Sequence, residues 1–143
     1  ILEKKPSSER IPLTIMRKPD KSLAEKSGIM PWLKIRIDND PAWLRELVEP
    51  LCEDTKMARQ GVCDIAFVAP TSAAEWKQKA RRLKLAIDPD GVIWVVYPKD
   101  DFREKYQFDG SLAEMVQIVK EFGLKHTKLA AVNDELTSVR FSL

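Results

Sequence analysis

Four residues mark where this chain could do chemistry. Asp38 and Asn39 end one apolar segment, and Tyr97 and Lys99 end another. In an open α/β sheet the carboxyl ends of neighbouring strands face a common crevice, and ligands bind there. Two such segments side by side would set a carboxylate, an amide, a phenol and an ammonium around one pocket. That pocket would suit an anionic ligand, with Lys99 as its charge partner. Each residue also has an ordinary reading. Loop lysines are normally solvated, and Tyr97 suits a half-buried aromatic at a sheet edge.

Other reactive side chains point less clearly to a site. His126 is the single histidine, and it has no serine or cysteine nucleophile pattern near it, so a structural or surface role is expected. Cys52 and Cys63 are too few and too far apart for a metal site, and nothing marks a disulfide framework. Both read as buried, reduced thiols. Asn133-Asp134 fits turn chemistry better than catalysis. Lys77, Lys79, Arg81, Arg82 and Lys84 form a local positive cluster that reads as a solvated helix face. It lacks interleaved aromatics, so nucleic-acid binding is not expected.

The elements that must position these residues are legible from pattern. The chain has 143 residues, 44% of them hydrophobic and 32% charged, with a net charge of +2, which suits one globular domain. No apolar run approaches the roughly 18 residues needed to span a bilayer. Ile1 and Leu2 are followed at once by Glu3-Lys4-Lys5, unlike a secretory signal, so a cytoplasmic location is expected. Residues 1–21 read as an extended polar arm with a possible edge strand at Ile11–Met16, and residues 22–143 as a single domain. Leu23–Ile29 suits a short helix closed by Gly28, and Trp32–Ile37 a first strand. Asp40 is a natural N-cap and Pro41 a first helical residue. Leu44, Leu47, Val48 and Leu51 then make an apolar stripe that Pro50 ends. Residues 55–57 could add a short strand.

Val62–Val68 reads as a buried strand. Ser72 and Glu75 then fit a capping box opening a helix to about Ile87, with Trp76, Ala80, Leu83 and Ile87 on one face. Asp88-Pro89-Asp90-Gly91 forms a turn into Val92–Tyr97, a buried strand stopped by Pro98. A second capping box, Ser111 and Glu114, opens a helix that Gly123 ends. His126–Val132 and Leu136–Leu143 are joined by only Asn133-Asp134-Glu135, which permits an antiparallel hairpin. Trp32, Trp43, Trp76 and Trp94 all lie among apolar neighbours and are expected in core or interface packing. The fold class is therefore α/β: a three-layer Rossmann-like sandwich, mostly parallel, ending in an antiparallel hairpin.

This order, with the Asp-Pro-Asp-Gly turn before an apolar strand, resembles the back half of a class I methyltransferase. Residues 22–143 also resemble an uncharacterised bacterial family of domains of unknown function. The resemblance rests on Ser22–Ile29, on Gly91–Lys99, and on Ala130–Asp134 with Arg140-Phe141. At the hairpin Leu136-Thr137-Ser138-Val139 stands where that family has Trp-Ser-Gly-Leu. The methyltransferase likeness implies S-adenosylmethionine, which needs a glycine-rich turn after the first strand so that backbone can approach it closely. Here the turn is Ile37-Asp38-Asn39-Asp40-Pro41, with no glycine. The expected reading is thus a non-catalytic binding or interaction domain on a degenerate methyltransferase-like fold, with no cofactor. It would form homo-oligomers through a sheet edge or the N-terminal arm. The alternative is a small-molecule-binding or methyltransferase-related enzyme with its site at the strand carboxyl ends.

Overall fold

Alternating helical and extended segments give, in a computed structural model, nine main elements in order. They are β1 (Lys34–Ile37), α1 (Ala42–Val48), β2 (Lys56–Met57), β3 (Cys63–Val68), α2 (Ala73–Lys84), β4 (Ile87–Pro98), α3 (Leu112–Ile118), β5 (Lys125–Ala131) and β6 (Leu136–Ser142). The structure describes residues 27–38, 41–52, 56–57 and 61–143. The arm, its Ile11–Met16 strand and most of the Leu23–Ile29 helix lie outside them. Ser27 is helical, and Gly28 follows with a φ of 78°, where glycine carries no Cβ penalty.

The six strands pair in the order β2-β1-β3-β4-β6-β5. The β1–β2, β1–β3 and β3–β4 pairs are parallel, and β6 runs antiparallel between β4 and β5. A mostly parallel sheet closed by an antiparallel hairpin is the expected architecture. Alternation along the strands divides the core into two layers. Ile35, Ile37, Phe67, Trp94 and Val96 pack with Leu44, Leu47 and Val48 of α1. Ala66, Val68, Ile93 and Val95 pack with Trp76, Ala80 and Leu83 of α2 and Met115 of α3. The Trp76 indole N–H donates to Met115 O at 3.0 Å, so even the largest buried ring has its polar atom satisfied. Among the described residues no helix is long and apolar enough to cross a membrane.

Several boundaries differ from the sequence expectation, each for a physical reason. Trp32 precedes β1 in a turn and is 70% exposed rather than packed. Pro41 holds the N-cap position, its ψ of 160° keeping it extended, and α1 begins at Ala42. Asp40 lies outside the described residues. α2 stops at Lys84, and Ile87 pairs with Cys63 in the sheet instead of completing a helical stripe. The Asp88–Gly91 turn sits inside the ladder: Cys63 faces Ile87 while Ile65 already faces Val92, so the intervening residues of β4 loop out. Asp88 Oδ1 accepts from Asp90 N–H at 3.0 Å within that loop.

Gly91 returns the looped chain to the sheet, and a Cβ there would sit 2.8 Å from Asp64 O and 2.9 Å from Asp88 O. Both neighbours are backbone atoms of the ladder itself, so neither can turn aside. Gly91→Ala should therefore destabilise the domain by about 1–3 kcal/mol, the usual cost of overpacking. A urea titration would show this as a lower midpoint at unchanged slope, and an unchanged midpoint would refute the close approach.

Candidate functional site

β2 pairs on one side of β1 and β3 on the other, and the helices that follow β1 and β3 cover opposite faces. The strand order therefore reverses between β1 and β3, and the crevice beyond their carboxyl ends is where such a sheet accepts ligands. Asp38 lies on that crevice, its N–H bonded to Phe67 O at 3.0 Å. Its Oδ2 meets the Lys79 ammonium at 2.6 Å. Lys79 also lies 3.3 Å from Glu75 Oε2, one helical turn back on α2. Glu75 Oε1 in turn accepts from Thr71 N–H at 2.6 Å and Thr71 Oγ1 at 2.8 Å. Ser72 Oγ completes the cap by accepting Glu75 N–H at 3.1 Å, as its spacing predicts. A lysine from the helix after β3 thus ties down the end of β1. Burial alone would raise the Glu75 pKa, but the Thr71 bonds and the Lys79 charge outweigh it and hold it below 4.5.

The carboxyl end of β4 is crossed by residues 99–111, which carry side chains to both faces of the sheet. Tyr97 is half-buried, and its ring packs on Phe108 with centroids 5.9 Å apart. Burial first, and the nearby Asp100 charge second, push its pKa up. Lys99 keeps its side chain exposed, while its N–H donates to Glu135 O at 2.8 Å. Tyr106 reaches the opposite face, where it meets Trp43 of α1 edge-on at 5.1 Å. The Tyr106 hydroxyl donates to Glu135 Oε1 at 2.5 Å, and Lys105 bonds both carboxylate oxygens at 2.8 and 2.9 Å. Further along, Asp109 N–H donates to Thr71 O at 2.7 Å and Arg103 Nη1 to Gly110 O at 2.6 Å. The segment is therefore fastened to α1, to the β5–β6 turn and to the start of α2. Burial would raise the Glu135 pKa, but bonds from Lys105 and Tyr106 outweigh it and hold it below 4.5. The Tyr106 pKa moves upward, by burial first and the Glu135 bond second.

The structure describes three of the four residues singled out by the sequence. Asp38 is committed to Lys79, Tyr97 to Phe108, and Lys99 points to solvent. Asn39 lies outside the described residues. Asn133 serves its turn, its Oδ1 accepting from both Glu135 N–H and Leu136 N–H at 2.8 Å. His126 is exposed on β5, and Cys52 and Cys63 are buried, with burial raising the Cys63 pKa. Among the described residues no group of three His, Cys, Asp or Glu side chains could hold a metal ion. Sequence reading missed Lys79, which it placed on a solvated face although it is 8% exposed. The signal was its spacing: three residues after Trp76 and four before Leu83, on the border of the apolar stripe. Tyr106 and Glu135 carried no comparable signal, since each lies in an irregular connection.

No family model matches the chain, and no curated protein matches it either. Solved structures do match. An S-adenosylmethionine-dependent methyltransferase from Aquifex aeolicus superposes with a TM-score of 0.65 at 15% identity, covering 91% of this chain and 92% of that one. An O-methyltransferase of neocarzinostatin biosynthesis, solved with S-adenosylmethionine, gives 0.60 at 13% identity over 85% of this chain and 52% of its own. The mitomycin 7-O-methyltransferase gives 0.59 at 10% identity over 84% and 51%. The chain spans about half the length of these last two. At such identities the likeness shows the fold, and the fold is methyltransferase-like.

Two measurements probe the carboxyl end. Lys79→Met should leave Asp38 and Glu75 uncompensated and lower stability by about 1–3 kcal/mol, less than for a fully buried pair. Adding Asp38→Asn should recover part of that loss, and strict additivity of the two substitutions would rule out the coupling. The depressed carboxylates give a pH signature. Glu75 and Glu135 both have folded pKa values below 4.5, so their stabilisation is present above that pH and lost as pH falls through the folded values. Melting curves of Glu135→Gln should accordingly fall less steeply below pH 4.5 than those of the unsubstituted chain.

Proposed function

We propose that this chain, with its methyltransferase-like fold, is a non-catalytic binding or interaction domain. The observation that carries the reading is the Lys79 ammonium set between Asp38 and Glu75 across the crevice of β1 and β3. S-adenosylmethionine carries a sulfonium and an ammonium, and a site for it presents carboxylates and open backbone. Among the described residues, Asp38 and Glu75 at the crevice are already paired with a protein cation. The Thr71 carbonyl that borders the crevice is taken by Asp109 of the crossing segment. The described residues do not fit the cofactor.

The reading also accounts for Tyr97, whose ring is half-buried against Phe108. Phosphate and carboxylate ligands would find Lys99 exposed, while Lys79 is engaged by Asp38 and Glu75. Isothermal titration with S-adenosylmethionine, and separately with its demethylated product, should give no heat of binding. A micromolar dissociation constant for either would replace this reading with the alternative, an enzyme related to the methyltransferases with its site at the strand ends.

A further inference from the structure

The opposite end of the sheet carries three of the large apolar side chains that are exposed among the described residues. Trp32 is 70% exposed, Val62 53% and Leu85 82%. Strand pairing makes them neighbours. β1, β3 and β4 lie side by side and parallel, and Trp32, Val62 and Leu85 each precede one of them, so all three stand at the same end of the sheet. Cys63 N–H donates to Ala86 O at 2.8 Å, which ties the start of β3 to the turn that holds Leu85. A turn closed by Leu33 N–H to Met30 O at 3.0 Å holds Trp32 outward, with Met30 45% exposed beside it. The patch is built on strand starts and a helix end, so presenting it costs little ordering.

Charges of both signs flank it. Arg82 and Lys84 stand in the last turn of α2, and Lys34 opens β1. Asp88 and Asp90 stand on the looped part of β4. Rotation about a two-fold axis would bring the basic helix end of one copy toward the acidic loop of the other, as a self-complementary interface requires. A nucleic acid or an anionic membrane would call for one sign of charge. The sheet edges suit pairing less well. β5 carries Lys125 and Lys128 and shifts register between His126 and Lys128, features that block an added strand.

We propose that the amino end of the parallel strands is an isologous face through which two copies of this chain pair, with Trp32 and Leu85 as its anchors. The proposal goes beyond the reading above, because it does not depend on what the carboxyl end binds. Sedimentation of the full chain over a concentration series into the high micromolar range should show a monomer–dimer equilibrium. Leu85→Glu lies just past α2 at an exposed position and should weaken dimerisation by roughly tenfold or more. Trp32→Ser, on a separate element, should do the same, each with an unchanged circular dichroism spectrum. Leu129→Glu is the control, since Leu129 is 55% exposed on β5, away from the patch, and should leave the equilibrium intact. A monomer at every concentration overturns the proposal. So does a dimer that survives both Leu85→Glu and Trp32→Ser, or one that Leu129→Glu disrupts. None of these outcomes bears on the cofactor titration.

Discussion

The fold depends on one strand being buried on both faces and paired on both edges. β4 meets β3 in parallel on one side and β6 antiparallel on the other, so it is where the sheet changes sense. Its central residues Ile93, Trp94, Val95 and Val96 are all at most 1% exposed. Each face demands a cover. Ile93 and Val95 require α2 and α3, while Trp94 and Val96 require α1 and the start of the described chain. The Trp94 indole N–H, which cannot be left unpaired in that layer, donates to Ser27 O at 3.3 Å. Arg140, opposite Trp94 on β6, lays its guanidinium over the same ring at 5.9 Å, a cation–π contact on the border of the layer.

The double burial explains what the sequence made legible. A strand covered on both faces reads as an unbroken apolar run, and Val92–Tyr97 has no other sensible reading. Helices that cover such a sheet show their stripes, and both capping boxes appear where Ser72 and Ser111 announce them. The terminal hairpin was legible because three residues cannot carry a crossover. Boundaries were less legible. Ile87 satisfies a helical period and a strand equally well, and only its pairing with Cys63 decides between them. That pairing depends on a register 24 residues distant, set by the looped Asp88–Gly91 segment.

Side chains that join distant parts of the chain were the least legible. Lys79 belongs by type to the charged face of α2, and only the fold brings Asp38 to it. Tyr106 sits in a charged connection and finds Trp43 and Glu135 from two other elements. Composition records such residues as polar, because nothing local distinguishes a lysine in water from one holding two carboxylates. A buried ion pair of this kind adds little net stability, since desolvation offsets the attraction. It does fix geometry: the ammonium can satisfy Asp38 and Glu75 together only while α2 and the end of β1 keep their present relation.

A parallel sheet has two unlike ends, and here they carry opposite characters. At the carboxyl end, among the described residues, Lys79 pairs with Asp38 and Glu75, and the segment after β4 is bonded across to the start of α2. At the amino end the connections are tight turns, Met30–Leu33 before β1 and Leu85-Ala86 before β4, which are too short to fold their apolar side chains inward. Trp32 and Leu85 stay outside although aromatic and aliphatic groups of their size gain most from burial. Apolar side chains exposed together at one end of a sheet are the kind of surface that protein partners cover.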